Sequence, residues 1–188
     1  SSNTVAGYAS CGAGIGPTVL DQVVGVVKAY TTRVGNGPFP TELLDETGDK
    51  LRTIGNEFGA TTGRNRRCGW FDAPVVRKAT VVNGLTHLAI TKLDVLDTFD
   101  TIKICTHYMC DGEKLDLIPN QLSKVGRCTP VYEEMPGWKV DTSKCRKFEE
   151  LPENAKKYLY RMAELVGVKI GMVSIGAKRD QSIVVDLD

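Results

Sequence analysis

The sequence predicts an α/β fold with a mostly parallel central sheet, flanking helices and one β-hairpin excursion. Short apolar runs of strand composition alternate along the chain with patterns of helical period. The clearest of these helical patterns have recognisable start and stop residues. Asp111-Gly112 stands between two strand-like runs, 102–109 and 115–118, which is typical of a hairpin.

The first half of the chain predicts two helices, one strand and two loops. Residues 1–16 are small and glycine-rich, and Pro17 opens a pattern of valines at helical spacing that reaches Val27. Residues 29–34 have strand composition, whereas 35–40 and 51–71 read as loops. The next helix is predicted to begin after Asp72 as its N-cap and to end near Asn83, with Pro74 in its first turn.

The second half shows stronger periodicity. The apolar run 88–91 predicts a buried strand, and 131–134, 168–174 and 182–185 predict further strands. The clearest helix begins at 151–153 and stops at Gly167. Because there is no internal repeat, low-complexity tract or linker, we expect residues 1–188 to form part of a single domain with no internal boundary.

Composition excludes several functions. A net charge of +1 gives no global field that would attract nucleic acid or anionic lipid. No apolar run approaches the roughly 20 residues of a membrane span. Six cysteines without CxxC spacing, together with only two histidines, argue against a zinc site and indicate free thiols in a reducing cytoplasm.

Two nucleotide-binding motifs are not present. Gly12, Gly14 and Gly16 give GxGxG followed by Pro17, after a stretch unlike a strand, so a dinucleotide-binding fingerprint is not supported. A phosphate loop needs GxxxxGK, and the dipeptide Gly-Lys does not occur in the chain. Any triphosphate cradle is therefore expected to lie outside this chain or to be of another kind.

A loop rich in glycine and arginine spans residues 59–67 (Gly-Ala-Thr-Thr-Gly-Arg-Asn-Arg-Arg). Arg64, Arg66 and Arg67 place three guanidiniums within four positions, beside two threonine hydroxyls. Guanidiniums bind carboxylate or phosphate through two hydrogen bonds, and nearby glycines let backbone N–H groups converge on the same anion. The loop therefore predicts a site for a small dicarboxylate or a phosphate; the alternative is a solvated basic loop that pairs with nearby acids.

Two predicted strands end in segments suited to guanine. Thr91-Lys92-Leu93-Asp94 follows the first, at the end of a strand where ligands bind in open α/β sheets. A carboxylate there can accept from N1–H and the 2-amino group of guanine, which adenine lacks, and such a site can discriminate by about 10⁴-fold or more. Ser174-Ile175-Gly176 follows the other strand and can offer backbone N–H groups to guanine O6. Each segment alone is also compatible with an ordinary exposed loop.

Several strings in fixed order resemble the adenylosuccinate synthetase family, and the resemblance covers nearly the whole chain, more loosely at 98–128 and 139–150. They are SSNT at 1–4, AYTTRVG at 29–35, GPFPTEL at 37–43, the 59–67 loop, TKLDVLD at 91–97, YEEMPGW at 132–138 and SIG at 174–176.

The resemblance implies a GTP-dependent ligase that joins L-aspartate to IMP in AMP biosynthesis. GTP phosphorylates O6 of IMP, and the aspartate amine then displaces that phosphate. Family chains are more than twice this length, and their N-terminal half carries the phosphate loop, the Mg²⁺-binding aspartate and a catalytic histidine. This chain is thus expected to be the C-terminal part of a P-loop-NTPase-like fold, without catalytic residues or metal ligands of its own. The family also implies a cytoplasmic homodimer, with no nucleic-acid or membrane partner.

The resemblance assigns ligands to particular residues. The L-aspartate set is Ala60, Thr61, Thr62, Gly63, Arg64, Asn65 and Arg66. The IMP set is Val34, Gly35 and Arg64. The GTP set is Arg66, Lys92, Leu93, Asp94, Ser174, Ile175 and Gly176. Two positions depart from the family pattern: Asn65 stands where arginine is frequent, and Ala177 stands where proline is frequent.

Two other hypotheses remain open at the level of sequence. One is a non-catalytic purine-nucleotide-binding or regulatory module that lacks the catalytic half, and the other is an interaction domain that uses the basic loop. Selective binding of guanine nucleotide would argue against the second.

Overall fold

The computed structural model describes residues 3–187, so Ser1 and Ser2 of the first family string lie outside the described residues. The helices are α1 (Gly7–Ala13), α2 (Glu46–Ile54), α3 (Ala73–Asn83), α4 (Leu122–Val125) and α5 (Glu153–Val166). The strands are β1 (Val24–Lys28), β2 (Thr31–Arg33), β3 (Arg67–Gly69), β4 (Phe71–Asp72), β5 (His87–Thr91), β6 (Thr101–Cys110), β7 (Glu113–Leu115), β8 (Thr129–Pro136), β9 (Lys169–Ser174) and β10 (Ser182–Val184).

The described strands form a mostly parallel sheet of order β1-β5-β9-β10 and two smaller sheets. In the first sheet β1, β5 and β9 run parallel, and β10 closes one side antiparallel to β9. The second sheet pairs β2 with β3, and the third joins β4, β6, β7 and β8. The predicted α/β class with a parallel central sheet is confirmed.

The predicted hairpin is also confirmed. β6 and β7 pair antiparallel, and the turn uses Asp111 and Gly112 at φ 52° and 83°. Positive φ at both central residues gives the turn a twist that matches the strands, which is why Asp-Gly is favoured there.

Helices α3 and α5 form where their local signals place them. The Asp72 carboxylate accepts from the Val75 N–H at 3.4 Å as the N-cap of α3, and Gly84 ends that helix in the left-handed conformation. Helix α5 ends at Gly167, also left-handed. Its buried face consists of Ala155, Tyr158, Leu159, Met162 and Val166, which belong to the same core as the β5 residues Leu88 and Ile90.

Two expectations for the first half were wrong. The valine pattern after Pro17 is a single turn of 3₁₀ helix followed by strand β1, because Val24–Lys28 pairs in parallel with β5. The segment read as a loop from 51 to 71 includes the end of α2, all of β3 and the start of β4. The glycine-rich start, for which the sequence analysis predicts no element, contains α1.

Strand β1 lies at the edge of the parallel sheet within the described residues. Its Val24 and Val26 side chains are exposed. No helix among the described residues combines the length and apolar character needed to cross a membrane.

Candidate functional site

The ends of three parallel strands bring the predicted guanine residues to one edge of the sheet. Lys28, the last residue of β1, is in register with Thr91, the last of β5. Ile90 is in register with Val173, so Thr91 and Ser174 end neighbouring strands side by side. Lys92 and Ser174–Gly176 therefore start from the same edge, which is where ligands bind in open α/β sheets.

The turn after β5 is set by an unusual backbone conformation. Lys92 has a φ of 60°, in the left-handed region, and a short 3₁₀ helix, Leu93–Leu96, follows it. Leu93 is fully buried, so neither its side chain nor its backbone is exposed to a ligand in this structure. Asp94 is half-buried, and burial raises the pKa of its carboxyl more than its own backbone N–H and nearby Lys92 lower it.

A depression of about 520 Å³ opens between Asp94 and the segment 139–143. The buried Asp97 carboxylate fixes that segment: it accepts from Trp138 Nε1 at 2.6 Å and from the Thr142 N–H at 2.7 Å. The sequence analysis does not predict that segment 139–143 lines a site, although Asp97 and Trp138 both lie inside the strings that resemble the family.

The Ser174–Gly176 turn is connected to segment 139–143 through Gln181. The Gln181 side chain donates to Ser143 O at 3.4 Å, and Ser143 lines the depression. A Cβ at Gly176 would lie 2.3 Å from Gln181 Oε1, so a larger residue there would displace the Gln181 side chain. The Ile175 N–H donates to Gln181 O at 3.0 Å, so that one of the expected guanine donors has a partner within the chain.

The arginine-rich loop is closed on itself by backbone hydrogen bonds. The Gly59 N–H donates to Arg64 O and the Gly63 N–H to Gly59 O, both at 2.8 Å. Gly63 has a φ of 63°, which favours glycine. The loop therefore presents its side chains from a defined tip.

A cavity of about 430 Å³ joins this loop to the segment after β2. Val34, Gly35 and Asn36 line one side of it, and Gly59, Thr62, Arg64, Asn65, Arg66 and Arg67 line the other. The structure thus brings the predicted IMP residues together with part of the predicted aspartate set. Ala60, Thr61 and Gly63 lie on the same loop but are not among the residues that line the cavity.

The three arginines of the loop differ in what they contact. Arg67 donates to Glu42 Oε1 at 2.7 Å and to the carbonyls of Gly35 and Gly37 at 3.1 and 2.8 Å, so it holds the turn beside the cavity. Within residues 3–187 the Arg64 guanidinium forms no hydrogen bond or ion pair, and Arg66 uses only Nη1 of its guanidinium. Donors on Arg64 and Arg66 therefore remain to bind an anion.

Glu57, which sequence reasoning missed, is the centre of the electrostatics here. Its fully buried carboxylate accepts from Lys28 Nζ at 2.7 and 2.8 Å, Tyr30 Oη at 2.5 Å and Arg66 Nη1 at 2.7 Å. Lys92 Nζ lies 3.5 Å from Glu57 Oε1. Burial alone would raise the pKa of Glu57, but the hydrogen bonds from Lys28, Tyr30 and Arg66 outweigh it and lower the pKa to about 2.

Close packing around this carboxylate depends on Gly55. A Cβ added there would lie 2.2 Å from Tyr30 Oη and 2.7 Å from the carbonyl oxygen of Leu51. The φ of Gly55 is −72°, so space rather than backbone conformation makes glycine necessary.

The cavity at the arginine loop and the depression at Asp94 are separate, and they have no lining residue in common. They are connected through Glu57, which contacts Arg66, a member of both the aspartate and GTP sets, and Lys92, a member of the GTP set. Within the described part of the chain, no group of three or more His, Cys, Asp and Glu side chains is placed to hold a metal ion.

The family model for adenylosuccinate synthetase matches residues 1–183. The chain belongs to the adenylosuccinate synthetase family. It is 59% identical over 185 residues to the synthetase of Trichlorobacter lovleyi and 58% identical over 185 residues to that of Geobacter sulfurreducens, covering 98% of this chain in both cases. It spans only 43% of the length of each of these relatives.

A solved structure of fully ligated adenylosuccinate synthetase from Plasmodium falciparum superposes with a TM-score of 0.94 at 42% identity. The superposition covers 99% of this chain and 45% of that one. The described architecture is therefore part of a larger family fold, as the sequence predicted. A cyanophage S-2L succinoaminodeoxyadenylate synthetase, 14% identical with a TM-score of 0.52, shares the fold alone.

Proposed function

We propose that this chain forms the aspartate-binding and guanine-binding part of a GTP-dependent ligase that joins L-aspartate to IMP. The observation that supports it most is the cavity in which the backbone of Val34 and Gly35 faces Arg64 and Arg66. Unused guanidinium donors at one wall suit a dicarboxylate, and the exposed turn opposite suits a ribose. Held in this way, the aspartate amine would point at C6 of IMP, and positioning of this kind lowers a bimolecular barrier by about 7–11 kcal/mol at best.

Guanine is proposed to bind at the depression beside Asp94. The half-buried carboxylate would accept from N1–H and the 2-amino group, while the Ser174–Gly176 turn at the same edge of the sheet would complete the base site. An adenine base would leave that carboxylate without a donor, which is the physical basis for preferring GTP over ATP.

The rest of the catalytic machinery is proposed to come from outside this chain. Mg²⁺ would be held by residues beyond those described, where it would neutralise charge on the transferring phosphoryl group. We extend the proposal to one domain over residues 1–188 and to a cytoplasmic homodimer; family membership supports both.

The test uses a chimera in which this chain replaces the matching 185-residue segment of the Trichlorobacter lovleyi relative. Asp94→Asn should lower kcat/KM for GTP by about 100-fold or more, because the carboxylate no longer accepts both guanine donors. Use of XTP should rise, since xanthine has a carbonyl at C2 that an amide N–H can meet. Asp116→Asn is the matched control, because Asp116 is exposed and pairs with Lys114, and neither residue lines the cavity or the depression. Normal GTP kinetics in Asp94→Asn would refute the assignment of the base site.

A second substitution in the chimera tests the arginine loop. Arg64→Leu should raise the aspartate KM roughly 100-fold, because losing one partner of a charge-assisted pair costs about 2–5 kcal/mol. Arg127→Leu, which removes an exposed pair with Asp111, should leave the aspartate KM unchanged. An unaltered aspartate KM in Arg64→Leu would remove the loop from the aspartate site.

A further inference from the structure

A single buried carboxylate touches both predicted ligand sites. Glu57 Oε2 lies 2.7 Å from Arg66 Nη1, and Glu57 Oε1 lies 3.5 Å from Lys92 Nζ. Arg66 follows the tip of the arginine loop, whereas Lys92 begins the turn that carries Asp94. Arg66 lines the cavity at the arginine loop and Lys92 lines neither concavity, but both residues contact Glu57.

The carboxylate also fixes its partners through other bonds. Glu57 O accepts from the Arg66 N–H at 2.9 Å, so both the backbone and the guanidinium of Arg66 are tied to this residue. Lys92 Nζ donates to the carbonyl of Gly55, two residues before Glu57. A displacement of Glu57 therefore changes the placement of Arg66 and Lys92 together.

Charge reinforces this geometry. Lys28, Arg66 and Lys92 place three cationic groups around one carboxylate, which leaves a net charge of +2 at the edge of the sheet. Without Glu57 the cations would repel one another and turn toward water. With Glu57 they stay grouped, and Nε and Nη2 of Arg66 have no partner among residues 3–187, so they can still bind an anion.

We infer that Glu57 is a positioning residue that couples the aspartate and guanine sites by holding Arg66 and Lys92 on one carboxylate. This inference rests on the proposed function for the identity of the two ligands. Coupling of this kind is reciprocal: aspartate binds more tightly when GTP is present, and GTP binds more tightly when aspartate is present.

The test measures the KM of aspartate, GTP and IMP in the chimera with Glu57→Gln. Glutamine keeps the size of the side chain and removes its charge. The aspartate and GTP KM values should both rise, each on the order of tenfold, while the IMP KM and kcat change much less. In Glu57→Gln, the aspartate KM should also no longer depend on the GTP concentration.

Two further variants separate positioning from a general loss of structure. Glu133→Gln removes a carboxylate that pairs with Arg161 at 2.7 Å between β8 and α5, and it should leave all three KM values unchanged. Glu57→Asp restores the charge on a shorter side chain that cannot span both cations, so it should raise the aspartate and GTP KM values by less than Glu57→Gln does. If Glu57→Gln fails to fold, Glu57→Asp decides the question, and unchanged KM values in it overturn the inference.

The same assay distinguishes failure of this inference from failure of the proposed function. If Asp94→Asn and Arg64→Leu act as expected but Glu57→Gln raises only one KM or neither, the coupling is wrong and the sites stand. If Asp94→Asn and Arg64→Leu have no effect, the sites themselves are wrong.

Discussion

Glu57 and Asp72 are both almost completely shielded from solvent, yet their surroundings are opposite. Glu57 is surrounded by lysine and arginine side chains, and its pKa falls to about 2. Asp72 has no cationic partner among the described residues: it accepts from Tyr108 Oη at 2.6 Å and, at 3.4 Å, from Thr41 Oγ1 and the Val75 N–H. Burial raises the pKa of Asp72 to about 6 despite those hydrogen bonds.

This difference distinguishes a carboxylate at a candidate binding site from a carboxylate that only stabilises the fold. The cations around Glu57 are about a quarter to a third exposed, so they face both the carboxylate and the solvent from which a ligand arrives. The hydroxyls around Asp72 are buried, and this carboxylate caps α3 and joins it to β6. A buried charge marks a candidate binding site when its partners have donors left for a second anion, and that is true of Glu57 alone of the two.

The largest expected effect is on the stability of the fold when the charge of Glu57 or that of Asp72 is removed. In the chimera, Glu57→Leu should destabilise the fold by about 3 kcal/mol, the lower end of the range for breaking a buried pair, because its cations can still reach water. Asp72→Asn should cost about 1 kcal/mol or less, since asparagine also caps helices and bonds to hydroxyls. Urea unfolding at pH 7 measures both. Equal losses would mean that the two environments do not differ in the way described.

An intermediate effect is expected from the two tyrosines. Tyr108→Phe removes the one short hydrogen bond to Asp72 found among the described residues and should cost about 2 kcal/mol at pH 7, falling at pH 5 as Asp72 takes up a proton. Tyr30→Phe leaves Lys28 and Arg66 on Glu57 and should cost about 1 kcal/mol, equally at pH 5 and pH 7. The same urea experiment at both pH values checks this, and a pH-dependent cost for Tyr30→Phe would contradict the low pKa of Glu57.

The smallest effect is the pH dependence of the unsubstituted fold. The folded pKa of Asp72, about 6, lies above its unfolded value, so the stability it contributes is present below about pH 4 and is lost as pH rises through 6. Lowering the pH from 7 to 5 should therefore add about 1 kcal/mol through Asp72. Glu57 has the opposite sign: its contribution is lost only as pH falls from about 4.5 toward 2.

Comparison with Asp72→Asn isolates the Asp72 part of this dependence. That variant should lack the gain between pH 7 and pH 5 while keeping the loss below pH 4.5. A gain of the same size in Asp72→Asn would assign it to another group.

Helices whose ends are marked by capping residues could be predicted from the sequence. Helix α3 begins at its Asp72 cap and ends before Gly84, and α5 ends before Gly167, as their residues indicate. Strand β1 could not be predicted because its valines satisfy a helical spacing as well as an extended one, and pairing with β5 decides between them. The cap of α2 was overlooked, although the Asp45 carboxylate accepts from the Gly48 N–H at 3.1 Å with Glu46 in the first turn.

Part of the candidate site could likewise be predicted from the sequence, and part could not. The arginine loop and the two strand ends were visible in the sequence because glycines, guanidiniums and a carboxylate cluster over a few positions. Glu57 is a lone acid in a loop, and its partners Lys28 and Lys92 lie 29 residues before it and 35 after. Only the folded chain brings them together, so composition and spacing carry no signal for this residue.

The packing around the Glu57 carboxylate depends on residue 55 having only a hydrogen atom as its side chain. Any larger side chain would push the phenol of Tyr30 aside and loosen the carboxylate that it contacts. The position of Arg66, whose guanidinium pairs with that carboxylate, would then change as well, although Gly55 has no functional group of its own. Substitutions that look harmless in a list of ligand contacts can therefore be among the most damaging in this loop.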